Sequence, residues 1–107
     1  MTLIRQGDLL FVPIENIPSG ALIRKSGIIQ EGEVTGHHHR VATVEDAHVY
    51  TTEDWDGFHA FVETLERPAE IVHEEHGTVT LPANTKFRVH IAREYDYLGQ
   101  VDRQVRD

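Results

Sequence analysis

The stretch Lys86-Phe87-Arg88-Val89-His90-Ile91-Ala92-Arg93-Glu94 alternates apolar and polar side chains. Successive side chains of a strand point to opposite faces, so Phe87, Val89 and Ile91 line a core while Arg88 and His90 face out. Upstream, the stretch 58–65 repeats the pattern, with Phe58, Ala60 and Val62 on one side and His59, Phe61 and Glu63 on the other. A helix over 52–65, capped at Thr52-Glu53-Asp54, is the competing reading. Gly57 and the β-branched and aromatic content favour strand. Further short strands are expected at 9–14, 21–24, 27–34, 38–44, 47–52, 69–73, 78–81 and 101–105. Pro13 marks an end or an edge of the first of these. Turn signals recur about every 10 residues, the spacing of a small β-barrel or β-sandwich with little helix. At 107 residues the chain has room for one core, so residues 1–107 are expected to form one metal-binding β domain.

Charge and cysteine usage narrow the chemistry. Eighteen acidic against ten basic residues give a net charge of −8. Such a surface repels phosphate backbones and anionic lipid, so neither nucleic acid nor membrane is an expected partner. No apolar run is long enough to span a bilayer. The first residues carry no signal-peptide pattern, which places the expected protein in the cytoplasm, or inside the cell if phage-encoded. With no cysteine, disulfides, thiolate catalysis and Cys-type zinc sites are excluded, and any metal must be held by His, carboxylate or water.

Histidine is where the sequence departs from the ordinary. Five of the eight fall in two clusters, Gly36-His37-His38-His39-Arg40 and His73-Glu74-Glu75-His76-Gly77. On a strand, His37 and His39 share one face with Cβ atoms roughly 6–7 Å apart, close enough to meet one ion, while His38 points the other way. The second cluster has i, i+3 spacing, which suits a strand running into a turn at Gly77. It is not the H-E-x-x-H helix of zinc proteases. His37, His39, His73 and His76 are therefore the expected metal ligands. Glu74 shares parity with His76 and is a candidate ligand, ligand partner or general base. Arg40 and Arg93 are candidate anion holders. Glu94 and Tyr95, in Arg93-Glu94-Tyr95-Asp96, are candidate proton carriers beside the metal. His48, His59 and His90, taken singly, read as ordinary polar residues, with His90 the best placed of the three. Imidazole with carboxylate suits zinc first, then manganese, iron or nickel.

These elements together, with the Leu81-Pro82 turn between the second cluster and Arg93-Glu94-Tyr95-Asp96, resemble a group of short hypothetical proteins of bacteria and phages over about residues 7–107. In that group the histidines matching His37, His39, His73 and His76 recur. The resemblance implies a shared site and carries no activity with it. The His37-x-His39 pair is also similar to that of cupins, small metal-holding β-barrels. There the later histidine follows a Pro-x-Gly turn, whereas here the second cluster precedes Pro82.

Three functions fit this reading. The first is a small metal-dependent enzyme whose metal-bound water attacks a small electrophile, a hydratase or hydrolase. Carbon dioxide hydration is its narrowest form, hydrolysis of a small substrate, anionic ones included, its broader one. The second is a non-catalytic β module stapled by a closed His-metal site, as in a phage or scaffold component. The third is a cupin-like redox metalloenzyme. Open strand edges make a homo-oligomer the expected state, with the metal either within a chain or between two.

Overall fold

A computed structural model describes residues 3–31, 38–54 and 57–91. The expected strand at 101–105 lies outside them. Ten strands appear among the described residues: β1 (Ile4–Gln6), β2 (Leu9–Ile14), β3 (Leu22–Arg24), β4 (Ile28–Glu31), β5 (His38–Val41), β6 (Ala47–Asp54), β7 (Gly57–Thr64), β8 (Ala69–Val72), β9 (Val79–Leu81) and β10 (Lys86–Ile91). The only helical element among the described residues is a 3₁₀ turn, Val44–Asp46. The stretch read as strand or helix is strand: β6 and β7 pair from Ala47 with Thr64 to Asp54 with Gly57.

The strands form two antiparallel sheets. One runs β1-β2-β10-β7-β6-β3, the other β4-β5-β8-β9. The fold is thus mainly β, as the alternation predicts. Among the described residues the sheets stay open, so the barrel alternative is not realised. Their inner faces share one core built from Leu9, Phe11, Val49, Val62 and Phe87 of the first sheet and Ile29, Val41, Ala69, Ile71 and Leu81 of the second. Phe87 faces inward as its alternation demands, meeting Phe11 edge-on at 6.4 Å between ring centroids.

Three local details position the rest. Pro13 pairs with Phe87 on β10, beyond the end of β1, which covers only Leu9 to Phe11. The lost N–H is tolerated there, as at an edge. A register shift between Ile28 and Gln30 is a bulge that lets Ile29 enter the core fully buried. Thr64 is buried where β7 ends, and its hydroxyl donates to the Pro82 carbonyl (2.6 Å) and accepts the Thr85 N–H (2.9 Å).

The strand the sequence reading lacks is β1. It pairs Gln6 with Leu9 across the two-residue turn Gly7-Asp8. Gly7 takes φ +59°, the left-handed conformation that glycine adopts without a Cβ penalty and that short hairpins require. This hairpin brings Gln6 and Asp8 against His39 of β5, and Gln6 against Ile71 of β8, in the second sheet.

Candidate metal centre

His39 is the centre of the cluster. On β5, His39 and Val41 point inward while Arg40 is exposed, because β-strand parity places residues i and i+2 on one face. His39 is 2% exposed, so each ring nitrogen needs a partner. Nδ1 lies 2.9 Å from Oε1 of Gln6, and Nε2 lies 3.2 Å from Oδ1 of Asp8.

The Gln6 amide decides which nitrogen carries the proton. Its Nε2 donates to the carbonyls of Ile71 (2.8 Å) and Gly77 (2.9 Å). Both partners are acceptors, so the amide nitrogen must face them and Oε1 must face His39. Oε1 can only accept, so Nδ1 of His39 is the N–H. The lone pair of the neutral ring is then on Nε2, aimed at the Asp8 carboxylate. A histidine with one ring nitrogen donating to a fixed oxygen and the other carrying a bare lone pair is the arrangement that prepares imidazole for a metal.

Burial pushes the His39 pKa down from 6.5 to about 4, helped by the neighbouring His73 and opposed by Asp8. The ring is therefore neutral at pH 7. Two acceptors then face each other at 3.2 Å, an arrangement that a shared proton or a bound cation relieves. Two ligands of one tetrahedral zinc ion, each about 2.0–2.1 Å from it, stand about 3.3 Å apart.

His73 and His76 pack beside this pair, from the loop after β8. Ring centroids of His39 and His73 are 4.3 Å apart, and those of His73 and His76 4.7 Å. His76 lies parallel to His39 at 6.0 Å. It sits directly over Gly7: a Cβ there would stand 2.5 Å from His76 Nε2. Nδ1 of His73 accepts the backbone N–H of Glu75 at 3.0 Å, so in the neutral ring the proton is on Nε2. Among the described residues no three His, Asp or Glu side chains already converge on one point. The Asp8–His39 pair is the part in ligand geometry; His73 is the nearer ring to His39, but its Nδ1 is held by the Glu75 N–H, while His76 is exposed.

The other expected site residues separate into three groups. Glu74 accepts the backbone N–H of His38 at 2.8 Å, clasping the start of β5 to the second cluster. Arg40 is on the face of β5 opposite His39. His37, Arg93, Glu94 and Tyr95 lie outside the described residues. His48 meets Tyr50 edge-on at 6.0 Å, and Tyr50, its pKa raised by burial and then by Glu63, donates to that carboxylate. His59 accepts from Arg88 at 3.1 Å, and half-buried His90 pairs with Leu10. Gln6 and Asp8 are absent from the sequence reading. The Gly7-Asp8 turn was the available signal for a hairpin, and nothing local points to Gln6.

Residues 5–91 match the family described as a domain of unknown function (DUF8820). No curated protein and no solved structure matches the chain.

Proposed function

The chain belongs to the DUF8820 family of domains of unknown function, and we propose that it is a small metal-dependent enzyme whose divalent ion, zinc first, sits between His39 and Asp8. The observation that carries this reading is the facing of two acceptors: His39 Nε2, bared because Gln6 takes the proton on Nδ1, and Asp8 Oδ1 at 3.2 Å. His76 completes the ligand set by rotation. His37, two positions before His39 in the sequence, is the further ligand. His73 and Glu74 hold the loop and the strand in place. The Asp8 side chain is 63% exposed and His76 is exposed, so an ion held there would be open to solvent and could keep a water. Such an ion lowers the pKa of its water toward 7 and supplies hydroxide for a small electrophile. Carbon dioxide hydration is the narrowest reaction of this kind, and hydrolysis of a small ester, amide or phosphoester the broader class.

One observation favours a structural role as the second reading. Gln6 and Asp8 belong to the hairpin of the first sheet, His39 and the His73–His76 loop to the second. An ion here would cross-link the two sheets and add its binding free energy to folding. The two readings part in one experiment. Stopped-flow carbon dioxide hydration and 4-nitrophenyl acetate hydrolysis are followed for chelated and zinc-loaded protein, with Asp8→Asn and His39→Gln as controls. Zinc-dependent turnover lost in both variants is expected. Zinc-dependent thermal stabilisation without turnover would replace the enzyme by the staple. Turnover unchanged in both variants would remove the site.

A further inference from the structure

On the outer face of the first sheet, a second constellation stands apart from the histidine cluster. A cleft of about 380 Å³ lies over β7 and β10, lined by Pro18, Thr52, Glu53, His59, Phe61 and Arg88. Phe61 faces away from the shared core, yet it is only 4% exposed. It forms an apolar floor. Beside it stands Arg88, directly across the β7–β10 ladder from Phe61.

Arg88 is half-buried, and a guanidinium withdrawn from water ordinarily finds a carboxylate. Among the described residues Arg88 meets none. Its one hydrogen-bonding contact is Nη2 donating to His59 Nδ1 at 3.1 Å, and Nε is shielded with no partner. This is unusual in a chain with 18 acidic residues. The bond to Arg88 also sets the His59 tautomer. Nδ1 accepts, so the neutral ring carries its proton on Nε2. Arg88 thus presents guanidinium donors next to an aromatic floor and a proline. Glu53, on the rim, is exposed and is the acidic member of the lining.

We infer that this cleft is a binding site for a small organic carboxylate with an apolar body. The carboxylate meets the Arg88 guanidinium, and the apolar body lies on Phe61 and Pro18. The combination of a few placed polar groups over an apolar surface is the ordinary make-up of a small-ligand site. Inorganic phosphate shares the charge but lacks the body, so it uses only half of the site. The site does not depend on the metal reading, because it lies on the opposite face of the sheet from the shared core and uses none of its residues.

The test is an amide NMR titration of the full chain, chelator-treated, with benzoate as the probe and inorganic phosphate as the comparison. Benzoate is expected to shift amide resonances of residues 19–20, 52–53, 59–61 and 88 and to bind at least about tenfold more tightly than phosphate. Arg88→Gln is expected to weaken benzoate about tenfold or more, the loss of one charge-assisted pair. Exposed Glu53→Gln, which keeps the fold, is expected to tighten benzoate by removing a like charge from the rim. The inference is overturned if benzoate shifts other resonances or none, if phosphate binds as well, or if Glu53→Gln leaves benzoate binding unchanged. Unaltered binding by a folded Arg88→Gln variant overturns it equally.

Discussion

Replacing Gln6 by alanine removes three hydrogen bonds at one stroke and strands their partners. Gln6 is 2% exposed. Its amide donates to the Ile71 and Gly77 carbonyls, and its oxygen accepts from His39 Nδ1. Each bond contributes about 1 kcal/mol net, and a buried group left without a partner costs about 1–3 kcal/mol. The Ile71 carbonyl and the His39 N–H are both interior, so the expected loss is about 3–5 kcal/mol. That is a large share of the roughly 5–15 kcal/mol that stabilises a domain. Gln6→Glu keeps the shape but has no N–H for the two carbonyls, so it should lose at least as much. Urea unfolding of chelated protein measures the loss. Imidazole ¹⁵N NMR reports the tautomer, which should be Nδ1–H in the parent and mixed in Gln6→Ala. A loss below about 1 kcal/mol in both variants, or a His39 tautomer unaffected by Gln6→Ala, would show that Gln6 does not hold His39 in this way.

Other outcomes follow from the same geometry. Gly7→Ala forces a Cβ into the left-handed region and into His76 Nε2; it should cost about 1 kcal/mol in urea and weaken zinc about tenfold by calorimetry. The His39 pKa is lower in the folded chain (about 4) than the ordinary 6.5, so the unfolded chain binds more protons between these values. Stability of chelated protein is therefore complete above pH 6.5 and falls by about 3 kcal/mol as pH drops toward 4. The difference between parent and His39→Gln unfolding curves across that window isolates the effect, and parallel curves would contradict it. Thr64→Val strands the Thr85 N–H and the Pro82 carbonyl and should cost about 1–2 kcal/mol by thermal unfolding.

The fold was legible where alternation is long. Residues 86–91 and 58–64 each carry enough apolar positions of one parity to fix both strand and face. β1 was not legible, since Ile4-Arg5-Gln6 has one apolar residue and is a strand because β2 pairs with it. Barrel and sandwich share the same alternation, and only the meeting of edge strands distinguishes them. The site divides in the same way. The inward face of His39 follows from its parity with Val41, and the turn at the second cluster from Gly77. Gln6 and Asp8 reach His39 across 33 and 31 residues of chain. Their role comes from tertiary pairing, and no local pattern carries it. Arg40 adjoins His39 in sequence, and strand parity places it on the other face of β5.

Isothermal titration of zinc into chelator-stripped full chain, with Asp8→Asn and His39→Gln alongside, decides whether His39 and Asp8 together hold a metal ion. One zinc per chain is predicted for the parent, with affinity lowered in each variant by more than about a hundredfold, beyond the loss typical of removing a ligand's partner. A parent that takes up no zinc, or variants that bind it as the parent does, would contradict the account.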